Sequence, residues 1–192
     1  MEECEFTAVK LTKNTFFDSL PQRLQEELEK SNGYVIWGGG FHLRGICSEP
    51  LWHSLEDLCF GEWALFELFE EIQEGDIPFA QDCMGDQFIW RDGHVFRLYA
   101  EAGELEDLSM TLDVFFDTLH TDHESLLDLE VLEIVRESEN SLKPGEVLIA
   151  NPPFVMEESE NGVKLEALTC LEALKYYAEL AVHVQSLALG ER

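Results

Sequence analysis

The chain has 192 residues, enough for one domain that buries about 70% of the surface its unfolded chain would expose. Its 40 Asp and Glu residues far outnumber its 12 Lys and Arg residues, and the net charge of −28 opposes binding to phosphate backbones and to anionic membranes. We therefore expect neither nucleic acid nor a membrane as a direct partner. Such a surface favours fast, salt-sensitive association with a basic protein, although solubility explains the acidity equally well.

The cysteines and the N-terminus indicate where the protein is located in the cell, but they do not indicate a reaction. The five cysteines are odd in number and form no CxxC pair, so neither a disulfide framework nor a zinc site is predicted for Cys4, Cys47, Cys59, Cys83 and Cys170. The N-terminus is acidic and lacks the apolar run of a secretory signal, and no segment approaches the length of a membrane span. We expect a cytoplasmic protein with reduced thiols.

The N-terminal third predicts one helix followed by two strands. Pro21 suits the first turn of a helix that ends near Asn32-Gly33. Two β-like runs, Tyr34 to Trp37 and Phe41 to Ile46, are separated by three glycines that permit a hairpin turn or a bulge. The glycines are not interpreted as a phosphate-binding loop, because a strand follows them instead of a helix N-terminus.

The stretch from residue 77 to residue 99 predicts a β-meander. Alternating aromatic and β-branched residues predict strands from Gln87 to Trp90 and from Val95 to Tyr99, and Asp92-Gly93 between them suits a type I′ turn. Pro78 restricts the preceding run, Ile77 to Ala80, to an edge strand or to the start of a strand. A turn at Asp82 to Gly85 joins this run to the second strand.

Helical patterns flank the meander and close the chain. The segment from Trp52 to Ile72 predicts a helix broken near Gly61, and Ser109 or Thr111 caps a predicted helix through Leu119. Residues 126–135 are apolar but ambiguous in type. Short strands are expected at residues 147–150 and 163–165, and a capping box of Thr169 with Glu172 opens a last helix.

Three groups of residues have side chains of the types that form chemical sites. His120, Asp122, His123 and Glu124 are metal-ligand types, but they lie at a predicted helix end without a further ligand, so a solvated terminus is the better interpretation. A thiol nucleophile formed by His53, Asp57 and Cys59 is disfavoured because neighbouring acids raise the thiol pKa. Asp82 and Asp86 lack the pattern of a calcium loop, and Asp82 is expected to cap the turn. We predict no catalytic residue, no metal and no cofactor.

Acidic residues concentrate between residues 101 and 139, where Arg136 is the only Lys or Arg. A protein without a cationic partner gains little from such self-repulsion, so we favour an interaction role for this segment. The predicted contacts are acids and the exposed edges of two tryptophans, because aromatic residues anchor interfaces. They are Trp37, Trp90, Asp113, Asp117, Asp122 and Glu124.

In the order of its motifs the chain resembles the Smi/Knr-type branch of the SUKH superfamily. The motifs are Ile77-Pro78-Phe79-Ala80, Gly85-Asp86-Gln87-Phe88, Asp92-Gly93 and Val114-Phe115-Phe116. Met84 and the long acidic segment after Leu119 are not parts of the family's pattern. On this basis the chain is expected to be a single domain over residues 1–192, with a core at about 20–187 and an acidic helical insertion at about 120–142.

The resemblance implies an α+β fold, with a mixed, largely antiparallel sheet packed against helices, and no catalytic machinery. Many bacterial members are immunity proteins that neutralise toxins, often nucleases, while fungal relatives are regulatory hubs. Gly85 and Asp86 match a family motif, as do Pro78 and Phe79, and a structural role is expected: Gly85 for the turn and Asp86 for holding it.

We therefore expect a non-enzymatic immunity protein that neutralises a basic, polymorphic toxin by direct binding. The alternative is a regulatory scaffold without a toxin, which would bind several partners weakly. An enzyme would require two or more of His53, Cys59, His120 and His123 to converge in one cleft. The oligomeric state is not predicted.

Overall fold

A seven-stranded antiparallel sheet, with its strands in the same order as in the chain, forms the centre of the fold. The computed structural model describes residues 4–7, 10–127, 129–137 and 141–188. The strands of this sheet are β1 (Cys4–Thr7), β2 (Tyr34–Ile36), β3 (Phe41–Leu43), β4 (Ile77–Asp82), β5 (Gln87–Arg91), β6 (His94–Tyr99) and β7 (Glu104–Met110). A separate antiparallel pair consists of β8 (Glu146–Asn151) and β9 (Lys164–Thr169).

Helices cover both faces of the large sheet. They are α1 (Thr15–Ser19), α2 (Gln22–Lys30), α3 (Leu55–Phe60), α4 (Leu65–Leu68), α5 (Leu112–Thr121), α6 (Glu130–Glu137) and α7 (Cys170–Ala188). On one face, α1, α2 and α5 pack on a phenylalanine-rich core that includes Phe17, Phe41, Phe79, Phe88, Phe115 and Phe116. On the other face, α4 and α7 contribute to a second core with Ile89, Leu98 and Tyr177. The predicted class, an α+β fold with a largely antiparallel sheet packed against helices, is confirmed.

The predicted meander corresponds to β4, β5 and β6, which are neighbours in the sheet. Asp92 and Gly93 both have positive φ, 49° and 91°, as a type I′ turn requires. Pro78 is the second residue of β4, so the prediction of a strand start is confirmed. The alternative of an edge strand is wrong, because β4 pairs with β3 on one side and with β5 on the other.

The triple glycine joins β2 and β3 as an antiparallel hairpin, through one short 3₁₀ turn. A Cβ at Gly39 would lie 3.0 Å from Leu142 Cδ1, and a Cβ at Gly40 would lie 2.6 Å from Leu129 Cδ2. These glycines therefore leave room for apolar side chains of the segment around α6 and do not line an open loop.

The helical predictions were correct in position, except that the helix predicted to reach Ile72 ends at Leu68. Residues 51–68 form a 3₁₀ turn followed by α3 and α4, and the break between these helices includes Gly61. Thr111, not Ser109, caps α5 by accepting a hydrogen bond from the backbone N–H of Val114. The segment of ambiguous type at residues 126–135 contains the start of α6. Thr169 caps α7, as predicted, by accepting a hydrogen bond from the backbone N–H of Glu172. The Glu172 carboxylate accepts from the Thr169 hydroxyl and not from the backbone N–H that a capping box uses.

Three elements, β1, α1 and β7, were not predicted. β7 has the sequence ELEDLSM and pairs with β6 along the edge of the sheet, with an irregular register after Val95. The predicted insertion at about 120–142 is packed against the rest of the fold, because Leu126 and Leu127 belong to the phenylalanine-rich core. Val131, Leu132 and Leu142 pack with Leu148 of β8.

Candidate functional site

The turn between β4 and β5 is the structural base of the candidate site. One carboxylate oxygen of Asp82, Oδ1, accepts hydrogen bonds from the backbone N–H groups of Met84 (2.9 Å) and Asp86 (3.0 Å). Gly85 has a φ of +82°, and a Cβ there would lie 3.1 Å from the ring of Tyr177. Gly85 is thus needed for the turn, as expected, and Asp82 caps it, as expected.

Asp86 holds the turn by tying it to β6 and to the residue that follows β6. Its Oδ1 accepts a hydrogen bond from the backbone N–H of Ala100 (2.9 Å), and its Oδ2 lies 2.9 Å from Arg97 Nη2. The same Nη2 lies 2.6 Å from Asp82 Oδ2. We call Asp82, Asp86 and Arg97 the Arg97 cluster.

The carboxylates of the Arg97 cluster are fully engaged. Each of their four oxygens accepts at least one hydrogen bond, from a backbone N–H or from Arg97. Burial, followed by the negative charge of Asp86, raises the pKa of Asp82 to about 7, although Arg97 opposes this shift. Burial also raises the pKa of Asp86. Because the oxygens are occupied, the arrangement serves to hold the turn against β6 rather than to transfer protons.

Two surface clefts meet at Arg97. The first, which we call the Tyr99 cleft, has a volume of about 510 Å³ and is lined mainly by Tyr99, Phe154, Val155, Val131, Glu101 and Glu104. The second, the Glu124 cleft, has a volume of about 480 Å³ and includes three exposed acids, Glu124, Glu130 and Glu133. One wall of each cleft is supplied by α6 or its approach, so the acidic segment singled out in the sequence borders both.

Exposed carboxylates continue from the Glu124 cleft along α5. The side chains of Asp113 and Asp117 are 76% and 80% exposed, and each approaches Arg23, at 3.6 Å and 3.7 Å respectively. Asp122 and Glu124 follow the end of α5 and are also exposed. We define the acidic surface as Asp113, Asp117, Asp122, Glu124, Glu130 and Glu133.

The two predicted tryptophan contacts lie in different places. Trp37 is half buried, and its ring stacks on His123 with 4.4 Å between centroids, so it lies beside Asp122 and Glu124. Trp90 is half buried on β5 and packs against the phenylalanine-rich core. The structure therefore places Trp37 beside two of the predicted acids, Asp122 and Glu124, whereas Trp90 lies on β5. Their role in binding stays a prediction.

In the arrangement of His53, Asp57 and Cys59, the histidine and the thiol are buried, and Asp57 is half buried. Burial raises the pKa of Cys59 to about 12, a larger cause than the nearby acid Glu56. Both ring nitrogens of His53 are already engaged: Nδ1 lies 2.8 Å from His42 Nε2, and Nε2 lies 3.0 Å from the carbonyl oxygen of Asn32. A protonated thiol without an available base has little nucleophilic character.

The two histidines at the end of α5 make contacts within the protein. His120 Nδ1 is hydrogen bonded to the carbonyl oxygen of Phe116, and His123 stacks on Trp37. In the part of the chain that the structure describes, no three His, Cys, Asp or Glu side chains form a group that could hold a metal ion. None of the helices described is long and apolar enough to cross a membrane.

Sequence reasoning missed one buried arginine, Arg44, and one partly buried arginine, Arg97. Arg44 is 1% exposed, and its guanidinium donates to the carbonyl oxygen of Pro78 (2.8 Å) and to the side-chain oxygens of Gln81 and Gln87 (both 2.6 Å). Burial lowers the pKa of Arg44 to about 10. The available signal was one arginine at the end of the apolar run FHLR and another inside HVFRLY. An arginine within an apolar run is unusual, but the sequence does not show which groups bind its guanidinium.

Comparison with known proteins gives the fold and nothing further. No family model matches the chain, and no curated protein matches it. A solved structure, the crystal structure of Atu4351 from Agrobacterium tumefaciens, is similar in fold, with a TM-score of 0.54 and 10% sequence identity over 92% of this chain and 85% of that chain. At this identity the likeness supports the α+β fold alone.

Proposed function

We propose that this chain is a non-enzymatic protein-binding module that binds a basic protein through the acidic surface. The observation that carries the proposal is the grouping of Asp113, Asp117, Asp122 and Glu124 on α5 and just beyond its end, next to the acids of the Glu124 cleft. Like charges held close together repel one another, and a cationic partner relieves that repulsion.

The state of the chemically reactive groups supports a binding role over an enzymatic one. The Cys59 thiol is buried with a raised pKa, and the nitrogens of His53 bond to neighbouring groups. The oxygens of Asp82 and Asp86 are occupied by Arg97 and backbone N–H groups. These arrangements therefore lack the free nucleophile or base that catalysis by them would require.

The finer proposal is that the basic partner is a polymorphic toxin, neutralised in the cytoplasm by direct binding. It is supported by the resemblance of the motifs to the SUKH superfamily. If the toxin is a nuclease, its active site is built to hold phosphates, and carboxylates on a complementary surface can occupy such a site by offering the same charge. The second candidate is a regulatory scaffold without a toxin, favoured if several partners bind weakly.

The experiment begins with affinity capture from a lysate of the same cell type at low and at high salt, with the captured proteins identified by mass spectrometry. One basic protein with a toxin-like domain supports neutralisation, whereas several weak partners support a scaffold. The purified partner is then used to measure association rates with two variants. The first carries Asp113→Asn, Asp117→Asn, Asp122→Asn and Glu124→Gln.

The second variant is the matched control and carries Glu67→Gln, Glu70→Gln, Glu74→Gln and Glu157→Gln, which are exposed acids outside the acidic surface. Both variants lose the same charge. We expect the first to associate about tenfold more slowly at low salt and the control to change by less than about twofold, because steering depends on where charge lies. Equal effects of the two variants would show that only total charge matters and would contradict the proposal.

A further inference from the structure

The Tyr99 cleft combines exposed apolar walls with acids at its edge. Phe154 is 50% exposed, Val155 39% and Tyr99 37%, which is unusual for large apolar groups that lie together. Glu101 and Glu104 line the same cleft. Aromatic walls with a few well-placed charges are typical of a pocket that receives one side chain of a partner.

Glu101 is the polar residue of this cleft that has a carboxylate oxygen without a hydrogen-bond donor among the described residues. Its Oε2 accepts a hydrogen bond from the backbone N–H of Val155 (3.3 Å), which ties the loop bearing Phe154 to the cleft. Its Oε1 is buried and has no hydrogen-bond partner within the described part of the chain. A buried carboxylate oxygen without a donor costs free energy. Because this oxygen is shielded from solvent, the Glu101 carboxylate has to turn toward the cleft before an incoming donor recovers that cost.

The other charges of the cleft do not cancel this attraction. Arg97 also lines the cleft, but its guanidinium is bound by Asp82 and Asp86, so the Arg97 cluster carries no net positive charge even when one of these acids is protonated. Glu101 and Glu104 therefore set the sign of the cleft. A cation is the complementary ligand.

We propose that the Tyr99 cleft receives an arginine side chain from a basic segment of the partner. This inference rests on the proposed function, since it supplies a specific contact for the same basic protein. The arginine stem lies against Phe154 and Val155, and its guanidinium donates to Glu101 and Glu104. Arginine fits better than lysine because its planar fork supplies several donors and is weakly hydrated, so it enters a partly apolar pocket at lower cost. A second copy of this chain is a poorer occupant, because its net charge of −28 opposes self-association.

The test is an NMR titration of the ¹⁵N-labelled full chain with two capped tripeptides, Ac-Gly-Arg-Gly-NH₂ and the neutral analogue that contains citrulline. We expect the arginine peptide to shift the backbone amides of Ala102, Gly103 and Val155, and the citrulline peptide to shift them far less. Glu101→Gln should weaken the arginine peptide about tenfold, since one charge-assisted hydrogen bond is lost. Phe154→Ser should weaken it as well.

Glu179→Gln is the matched control, because Glu179 is exposed on α7 and does not line the cleft. It removes the same charge and should leave the affinity within about twofold. Equal shifts with both peptides, or equal effects of Glu101→Gln and Glu179→Gln, would overturn the inference. Shifts confined to the acidic surface would overturn it while leaving the proposed function intact, and an absence of shifts anywhere would count against both.

Discussion

At the scale of single residues, Arg97 links more of the candidate site than any residue predicted from the sequence. It binds Asp82 of the turn and Asp86 beyond it, and its guanidinium lies 4.9 Å from the centroid of the Tyr99 ring. It also borders both clefts. The position of the clefts therefore depends on one buried ion-pair cluster.

Replacing Arg97 by Met should lower the free energy of unfolding by about 3–5 kcal/mol, because it leaves two buried carboxylates without their counter-charge. The loss should be smaller at low pH. Without Arg97, the pKa values of Asp82 and Asp86 in the folded chain rise further above their values in the unfolded chain. The free-energy cost of burying these charges is therefore present above the unfolded pKa and disappears at lower pH, where both acids are protonated in both states. Urea unfolding at several pH values measures both effects.

The matched control is Arg97→Lys, which keeps the charge but loses the planar fork, and should cost less than half as much. A loss for Arg97→Met that is the same at every pH would mean that Arg97 acts by packing and not by charge.

A second feature at this scale is the buried pair of His42 and His53. Their rings stack 5.1 Å apart, and a Cβ at Gly33 would lie 2.5 Å from His53 Cε1, so glycine is required there. Burial lowers the pKa of His53 to about 4 and that of His42 well below its usual value. Both rings are therefore neutral at neutral pH.

Because the unfolded chain takes up a proton at His53 near its ordinary pKa and the folded chain does so only near pH 4, acid favours unfolding. The contribution of His53 to stability should fall by about 2 kcal/mol between about pH 7 and about pH 5. Urea unfolding across this range, together with ¹⁵N spectra of the imidazole rings, measures it. A His53 ring that protonates with a midpoint above about pH 6 would contradict the expectation.

At the scale of elements, the strands with a clear alternating pattern were predicted well, whereas the edge strand β7 was not predicted. β5 and β6 alternate strongly and are joined by Asp92-Gly93, so local chemistry specifies the hairpin. β7 carries three acids in seven residues, and its charges resemble those of a solvated loop. Edge strands commonly carry charges that discourage pairing with other chains, which hides them from pattern analysis.

The Thr169 cap of α7 is an element-scale feature that can be tested directly. The Thr169 side chain accepts a hydrogen bond from the backbone N–H of Glu172 and bonds to the Glu172 carboxylate. Thr169→Ala should lower the free energy of unfolding by about 1 kcal/mol, because the N–H loses its acceptor. Thermal or urea unfolding measures the change.

Thr169→Ser retains the hydroxyl and should be close to the unaltered chain. If the serine variant were as unstable as the alanine variant, the methyl group of Thr169, and not its hydroxyl, would be the stabilising part.

At the scale of the whole molecule, the net charge of −28 is distributed unevenly. The acidic surface and the Glu124 cleft gather exposed carboxylates on one side of α5 and α6, while arginines such as Arg44 and Arg97 are turned inward. Arg97 is bound by Asp82 and Asp86, so turning these three groups inward together removes no net positive charge from the surface. The exposed carboxylates keep the surface strongly acidic, which favours electrostatic steering of a basic protein.

The resemblance of the motifs implied the fold class, and the structure chose Thr111 over Ser109 as the cap of α5. The sequence by itself determined the meander, the helix cap at Thr169 and the acidic character of residues 101–139. These depend on periodicity, turn chemistry and charge within a few residues of chain, so they can be read without a structure. Only the tertiary structure decided that Arg97 joins Asp82 and Asp86, which lie 15 and 11 residues away, and that Arg44 reaches Gln81 and Gln87. It also decided which acids border a cleft. Such contacts join residues far apart in the chain, and a local pattern does not specify which distant residue the fold will bring near.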